Sequence, residues 1–140
     1  MTTTKEQLLD NLNEDLAWEY AAAIQYVQHA AVITGPEYES MIQELLTHST
    51  EEMGHVFALS DQIDFFGGIP AVDVAKIETS KDSKKMLEQD LAGEFHAISR
   101  YKQRIAEAES LQEYGLRRTL EDIPIVKEEH ARDLLTALGR

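Results

Sequence analysis

The 140-residue sequence contains no cysteine, which excludes a disulfide framework, a thiolate metal site and a cysteine nucleophile. Three prolines and seven glycines are few for this length, so loops should be scarce and helices long. Positive charge is also short: 13 Lys and Arg stand against 26 Asp and Glu, a formal net charge of −13 with the five His neutral. Such a surface repels phosphate backbones and anionic lipid, so metal ions are the expected partners, and nucleic acid and membrane surfaces are not. No run approaches the roughly 20 apolar residues of a membrane helix. Met1-Thr-Thr-Thr-Lys5 opens without an apolar signal region, so a cytoplasmic location is expected. What is present, 43% hydrophobic residues, suits one domain over residues 1–140.

Turn signals divide the chain into four helical blocks. Thr3-x-x-Glu6 reads as a capping box for the first, which runs to about Ile33. Gly35-Pro36 breaks it, and Thr34-x-x-Glu37 is a candidate cap for the second block, to about Phe66. Gly67-Gly-Ile-Pro70 opens a mixed stretch to about Ser80, long for a helix–helix connection. The third block runs from about Asp82 to Ala108, and Ser110-x-x-Glu113 is the candidate cap of the fourth, which ends near Leu138. The expected fold is an all-α four-helix bundle with a long crossover between helices 2 and 3.

Steps of four and three locate the buried stripes. They read Leu12, Leu16, Glu19, Ala23, Tyr26, Ala30, Ile33 in the first helix. The second gives Met41, Leu45, His48, Glu52, His55, Leu59, Gln62, Phe66. The third gives Leu87, Leu91, Glu94, Ile98, Tyr101, Ile105, and the fourth Leu116, Leu120, Ile123, Lys127, His130, Leu134. Every stripe carries ionisable residues at its middle. Burying one unpaired carboxylate costs several kcal/mol, so this centre requires compensating cations.

A shift of 75 residues overlays the halves: Asp15-Leu-Ala-Trp-Glu19 on Asp90-Leu-Ala-Gly-Glu94, Tyr26 on Tyr101, and His55 on His130. Two helix pairs related by a pseudo-twofold would face their polar residues at each other. Glu52-Met-Gly-His55 is a Glu-x-x-His on one helix face. Together with Glu19, Glu94 and His130 it forms a carboxylate- and imidazole-rich constellation suited to Fe(II), Mn(II) or Zn(II).

These residues, with Tyr26, His29, Phe66-Gly-Gly-Ile-Pro70 and Glu128-Glu-His130, resemble bacterioferritin-type members of the ferritin-like superfamily over essentially the whole chain. The resemblance implies a di-iron centre that oxidises Fe(II) with O₂ or peroxide, a ferroxidase-type oxidoreductase if the dinuclear site forms. By that carry-over Glu19 and His55 are terminal ligands of one metal and Glu94 and His130 of the other, with Glu52 bridging. The family's second bridging Glu, three residues before His130, is here Lys127. An ammonium has no lone pair to give a metal. Three Glu and one Lys⁺ carry −2, which one divalent ion balances. One reading therefore has Lys127 salt-bridging Glu52 or Glu94 in place of the second metal, so that one ion or none binds. The resulting non-catalytic bundle would serve as a binding or dimerisation module. The other has two ions bind with water or another acid as the missing bridge. One or two iron ions per chain are expected, with Mn or Zn as alternatives.

Other residues carry two readings. Tyr26 is the candidate catalytic residue, as an electron donor or ligand hydrogen-bond partner, and Tyr101 is its repeat mate. Both also suit aromatic packing. His48 reads as a core histidine or an added ligand. Pro124, inside the fourth helix, could re-aim Lys127. Met53 matches the haem-ligating Met of bacterioferritin, but its surroundings do not match the haem pocket, so haem is not expected. His29 and His96 read as partly exposed, and Glu51, Glu107, Glu109, Glu128 and Glu129 as solvated. Set against the resemblance, the sequence is without the family's short fifth helix, so a homodimer or small homo-oligomer is expected over a cage, with Trp18, Tyr20 and Val27 as a dimer face. Oxygenase chemistry on an organic substrate would require an apolar channel to the centre.

Overall fold

The computed structural model describes residues 3–140. Within them the chain is all helical: α1 (Lys5–Val32), a 3₁₀ turn (Pro36–Tyr38), α2 (Met41–Phe65), α3 (Ser83–Ser110) and α4 (Tyr114–Ala137). The helices form a four-helix bundle in which α1 packs on α2 and α3 on α4. The two pairs meet through α1 with α3 and α2 with α4. No described helix is long and apolar enough to cross a membrane.

Local chemistry explains the helix ends, and corrects three expected starts. The capping box is Thr4 with Gln7, one residue later than expected: Gln7 N–H donates to Thr4 Oγ1 at 3.1 Å and Thr4 N–H to Gln7 Oε1 at 2.9 Å. Thr34 does not cap α2, because Gly35 at φ 108° and Pro36 turn the chain into the 3₁₀ segment first. Ser110 is the last residue of α3, its hydroxyl donating to the Glu107 carbonyl, and α4 starts after Glu113 without a side-chain cap. Asp82 caps α3 as the chain turns in, accepting from Lys84 N–H. Gly67 closes α2 at φ 86°, a left-handed conformation that favours glycine.

The crossover is tied along α1. Ala71 N–H donates to Asn13 Oδ1 at 2.8 Å, Ala75 N–H to the Ala17 carbonyl at 3.0 Å, and Glu78 N–H to Gln25 Oε1 at 2.8 Å. Two apolar clusters fill the bundle, one around Leu12, Leu59, Tyr101 and Leu120, the other around Tyr26, Leu45, Leu87 and Leu134. Most stripe residues are buried as expected. His55, Gln62, Phe66, Ile98 and Ile105 are only partly buried, and Val56, Ile63, Ala97 and Ala108 take deeper positions. A polar layer contributed by all four helices lies in the buried interior with these clusters.

A second buried polar system crosslinks α1 and α3. Arg104 donates to both Asp15 oxygens (2.6 and 3.0 Å) and to Glu107 Oε2 at 2.5 Å, and Arg100 also reaches Asp15. On the repeat-related side, Gln25 donates to Asp90 Oδ1 at 2.8 Å and His29 Nδ1 lies 2.9 Å from Asp90 Oδ2. The 75-residue shift carries Asp15 to Asp90, Gln25 to Arg100 and His29 to Arg104, so the two interlocks are one motif used twice. His29 is thus fully buried rather than partly exposed, and Glu107 is buried rather than solvated. His96 is exposed, as are Glu109, Glu128 and Glu129.

Candidate metal centre

The five expected ligands converge. Glu19, Glu52 and His55 place one ligand atom each within 4.8 Å of one another, and so do Glu52, Glu94 and His130, so Glu52 belongs to both triads. The halves mirror each other as the repeat requires. His55 Nδ1 lies 2.8 Å from Glu19 Oε1 and His130 Nδ1 lies 2.7 Å from Glu94 Oε2. Both imidazoles turn the same nitrogen inward. His130 Nε2 is held by Glu51 Oε1 at 3.2 Å, the kind of outer contact that fixes the tautomer of a ligating histidine.

Lys127 enters this layer fully buried. Its ammonium donates to Glu19 Oε2 at 2.5 Å and to Glu52 Oε2, and stands 3.9 Å from Glu94 Oε1. It therefore pairs with Glu52, as one reading expects, and takes Glu19 rather than Glu94 as its second close partner. Pro124 lies inside a continuous α4 and does not turn Lys127 away from the centre.

The electrostatics follow from burial and these pairs. Burial would lower the Lys127 pKa, but the Glu19, Glu52 and Glu94 carboxylates reverse this and push it up. Burial would raise Glu52, yet Lys127 and His55 hold it at about 2. Burial dominates at Glu94, farther from the ammonium, and pushes it up to about 7. Burial would depress His55, but its bonds to Glu19 and Glu52 raise it to about 9. Protons and Lys127 thus neutralise the buried carboxylates between them.

The donor set also fits a hard-to-borderline divalent cation. Glu52 Oε1 is buried and has no hydrogen-bond partner among the described residues, yet it lies 3.5 Å from both His55 Nδ1 and His130 Nδ1. An anionic oxygen between two inward nitrogens is a position a metal would satisfy.

Tyr26 and Tyr101 are buried, and neither hydroxyl has a hydrogen-bond partner of ordinary geometry among the described residues, although Glu94 lies close enough to the Tyr26 hydroxyl to raise its pKa. The Tyr26 ring packs edge-on against His48 at 5.0 Å, and burial followed by the Glu94 charge pushes its pKa up. His48 is buried and stacks on His130, ring centroids 3.9 Å apart. Trp18 is half-buried and packs edge-on to His96, Tyr20 packs on the core, and Val27 alone of the three is exposed. A cavity of about 440 Å³ between α1 and α3 runs from Lys76 and Lys85 past Ala22, Ala92 and Gly93 to Glu19, Glu94 and Lys127. The sequence reading missed it. Its signal was the small-residue pairs Ala21-Ala22 and Ala92-Gly93 beside the ligands.

Comparison with known proteins agrees with this geometry. Residues 9–140 match the family described as "Ferritin-like domain". A "Nutrient stress-induced DNA-binding protein" of Nostoc sp. is 32% identical over 94% of this chain and 77% of its own length. A "Bacterioferritin" of Brucella melitensis is 29% identical over 94% and 83%. A crystal structure described as ferritin-like, diiron-carboxylate proteins from Bacillus anthracis superimposes with a TM-score of 0.93 at 30% identity, covering 99% of both chains. With its repeated helix pairs and their shared carboxylate–imidazole layer, the chain belongs to the ferritin-like family.

Proposed function

We propose that the chain is an iron-binding ferritin-like protein whose centre takes one divalent ion, with Lys127 in place of the second. The observation that carries this reading is the Lys127 ammonium bonded to Glu19 and Glu52 inside the ligand layer. Once a metal displaces the bound protons, three carboxylates less one ammonium leave −2, which one Fe(II), Mn(II) or Zn(II) balances. Glu52, Glu94 and His130 would hold the ion, because Lys127 bonds the Glu19 carboxylate at 2.5 Å but stands 3.9 Å from Glu94. Glu19 and His55 form the half that Lys127 ties up. Bound iron would supply an electron to O₂ or peroxide. This chain's own residues would keep the ligands aligned through Glu51 and admit small solutes along the α1/α3 cavity.

The test is anaerobic Fe(II) titration followed by exposure to O₂. His130→Gln should abolish binding at the centre, and His55→Gln should retain it. Two central Fe(II) per chain, lost together in either variant and oxidised rapidly with O₂ consumption, would instead establish the di-iron ferroxidase. The Nostoc relative is named for DNA binding. The net charge of −13 argues against that property here. A homodimer or small homo-oligomer formed through the exposed Ile24, Val27, Met53 and Phe57 is part of the proposal, checked by sedimentation.

A further inference from the structure

A second cluster of metal-ligating side chains lies outside the centre, in the groove where α2 meets α4. Glu44 and His48 stand one turn apart on α2, and Asp133 faces them from α4. One ligand atom from each lies within 4.8 Å of the other two. His48 Nε2 is 3.2 Å from Asp133 Oδ2 and 3.9 Å from Glu44 Oε1. Metal–nitrogen and metal–oxygen bonds of about 2.0–2.2 Å place neighbouring ligand atoms roughly 3–3.5 Å apart. Only a small closure of Glu44 is needed, and its side chain is 46% exposed and free to make it.

The histidine distinguishes this cluster from a patch of surface acids. His48 is 1% exposed, and its ring is fixed between Tyr26 on its edge and His130 on its face. Its Nδ1 has no hydrogen-bond partner among the described residues, so the ring is oriented by packing and by the carboxylates that Nε2 faces. Asp133 and Glu44 crowd one another at the groove mouth, with Glu51 one step farther along and bonded to His130. A divalent cation would relieve that repulsion while an immobilised imidazole supplies the nitrogen.

We infer that Glu44, His48 and Asp133 form a second divalent-cation site at the α2/α4 surface, separate from the central layer and of the imidazole–carboxylate class that takes Zn(II), Mn(II) or Fe(II). Half-exposed Glu44 and Asp133 leave the remaining coordination positions to water, so the site should exchange its ion readily. Its place beside Glu51 makes it an outer station for ions on the same face as His130.

The experiment is Zn(II) binding by isothermal titration and by elemental analysis after desalting, on the full chain. Wild type is compared with Glu44→Gln/Asp133→Asn, whose changed side chains are half-exposed, with His48→Gln, and with the centre variant Glu94→Gln. The site is supported if the double variant and His48→Gln each lose one Zn(II) equivalent, or bind it at least tenfold more weakly, while Glu94→Gln keeps that equivalent. Identical isotherms for wild type and the double variant would overturn it. An equivalent missing only in Glu94→Gln would speak to the centre and leave the groove without a site. Circular dichroism of each variant shows whether the bundle is intact.

Discussion

Replacing Lys127 with methionine tests whether its ammonium is what makes the buried carboxylates tolerable. Lys127 is 1% exposed, so methionine fills most of the same space and the change is chiefly loss of charge. Glu19 and Glu52 lose the cation they share, and Glu94 loses its neighbour. The least costly relief is one extra proton on a carboxylate. Drawing that proton at pH 7 onto a group whose unfolded pKa is 4.5 costs about 2.5 pH units at about 1.36 kcal/mol each, or about 3.4 kcal/mol. Removing one partner of a buried ion pair typically costs about 3–5 kcal/mol, which agrees. The metal-free variant should therefore be about 3–4 kcal/mol less stable at pH 7, by urea unfolding followed with circular dichroism in chelator. The proton becomes easier to acquire on acidification, so the loss should shrink by about 1.4 kcal/mol per pH unit towards pH 5. Excess Zn(II) should restore stability in the variant more than in wild type, through binding to the folded state. A loss below about 1 kcal/mol, or one independent of pH, would refute the reasoning.

Wild-type stability without metal should vary with pH in two senses. Glu52, held at about 2 when folded, contributes stability that is complete above its unfolded pKa of 4.5 and lost as pH falls towards 2. His55, raised to about 9, contributes stability that is complete below 6.5 and lost as pH rises to about 9, so His55→Gln should flatten the alkaline limb of the urea midpoint. A midpoint that rises from pH 6.5 to 9 would contradict the assignment. Asp15→Asn breaks the buried bidentate pair with Arg104 and should destabilise the bundle by about 3–5 kcal/mol without changing metal content, and a near-neutral result in thermal unfolding would deny the interlock its role. Tyr26→Phe removes a hydroxyl without a hydrogen-bond partner and should leave both stability and metal content within about 0.5 kcal/mol and experimental error. A marked fall in Fe(II) oxidation rate in that variant would restore Tyr26 as an electron donor.

Much of the bundle was legible because helix periodicity and the 75-residue repeat are one-dimensional signals. Leu12, Leu16, Leu45, Leu91 and Leu120 lie where their spacing puts them, and the polar stripe positions converge because each stripe has one inward direction. What resisted reading depends on which helix a face meets. Arg104 and His29 lie off the main stripes, so periodicity alone marked neither as buried. Their partners Asp15 and Asp90 sit on the opposite pair of the bundle. The repeat held the signal, since its shift carries His29 onto Arg104. The starts of α2 and α4 were missed for a different reason. Thr34 and Ser110 have capping chemistry, but the φ of Gly35 and the extension of α3 through Ser110 set the boundaries first. The family resemblance marks Lys127 as a departure from a bridging Glu, yet its choice of Glu19 over Glu94 needed coordinates.

In the proposed centre, Lys127 occupies what would otherwise be a metal's share. This is tested most directly by counting metal per chain after anaerobic Fe(II) loading and desalting. Lys127 and Lys127→Glu chains are compared, both carrying Asp133→Asn so that the groove cluster does not contribute. One equivalent is expected with lysine, and two once the fourth carboxylate balances a second ion. Two equivalents in both chains would contradict it and make this an ordinary dinuclear centre with an unusual neighbour.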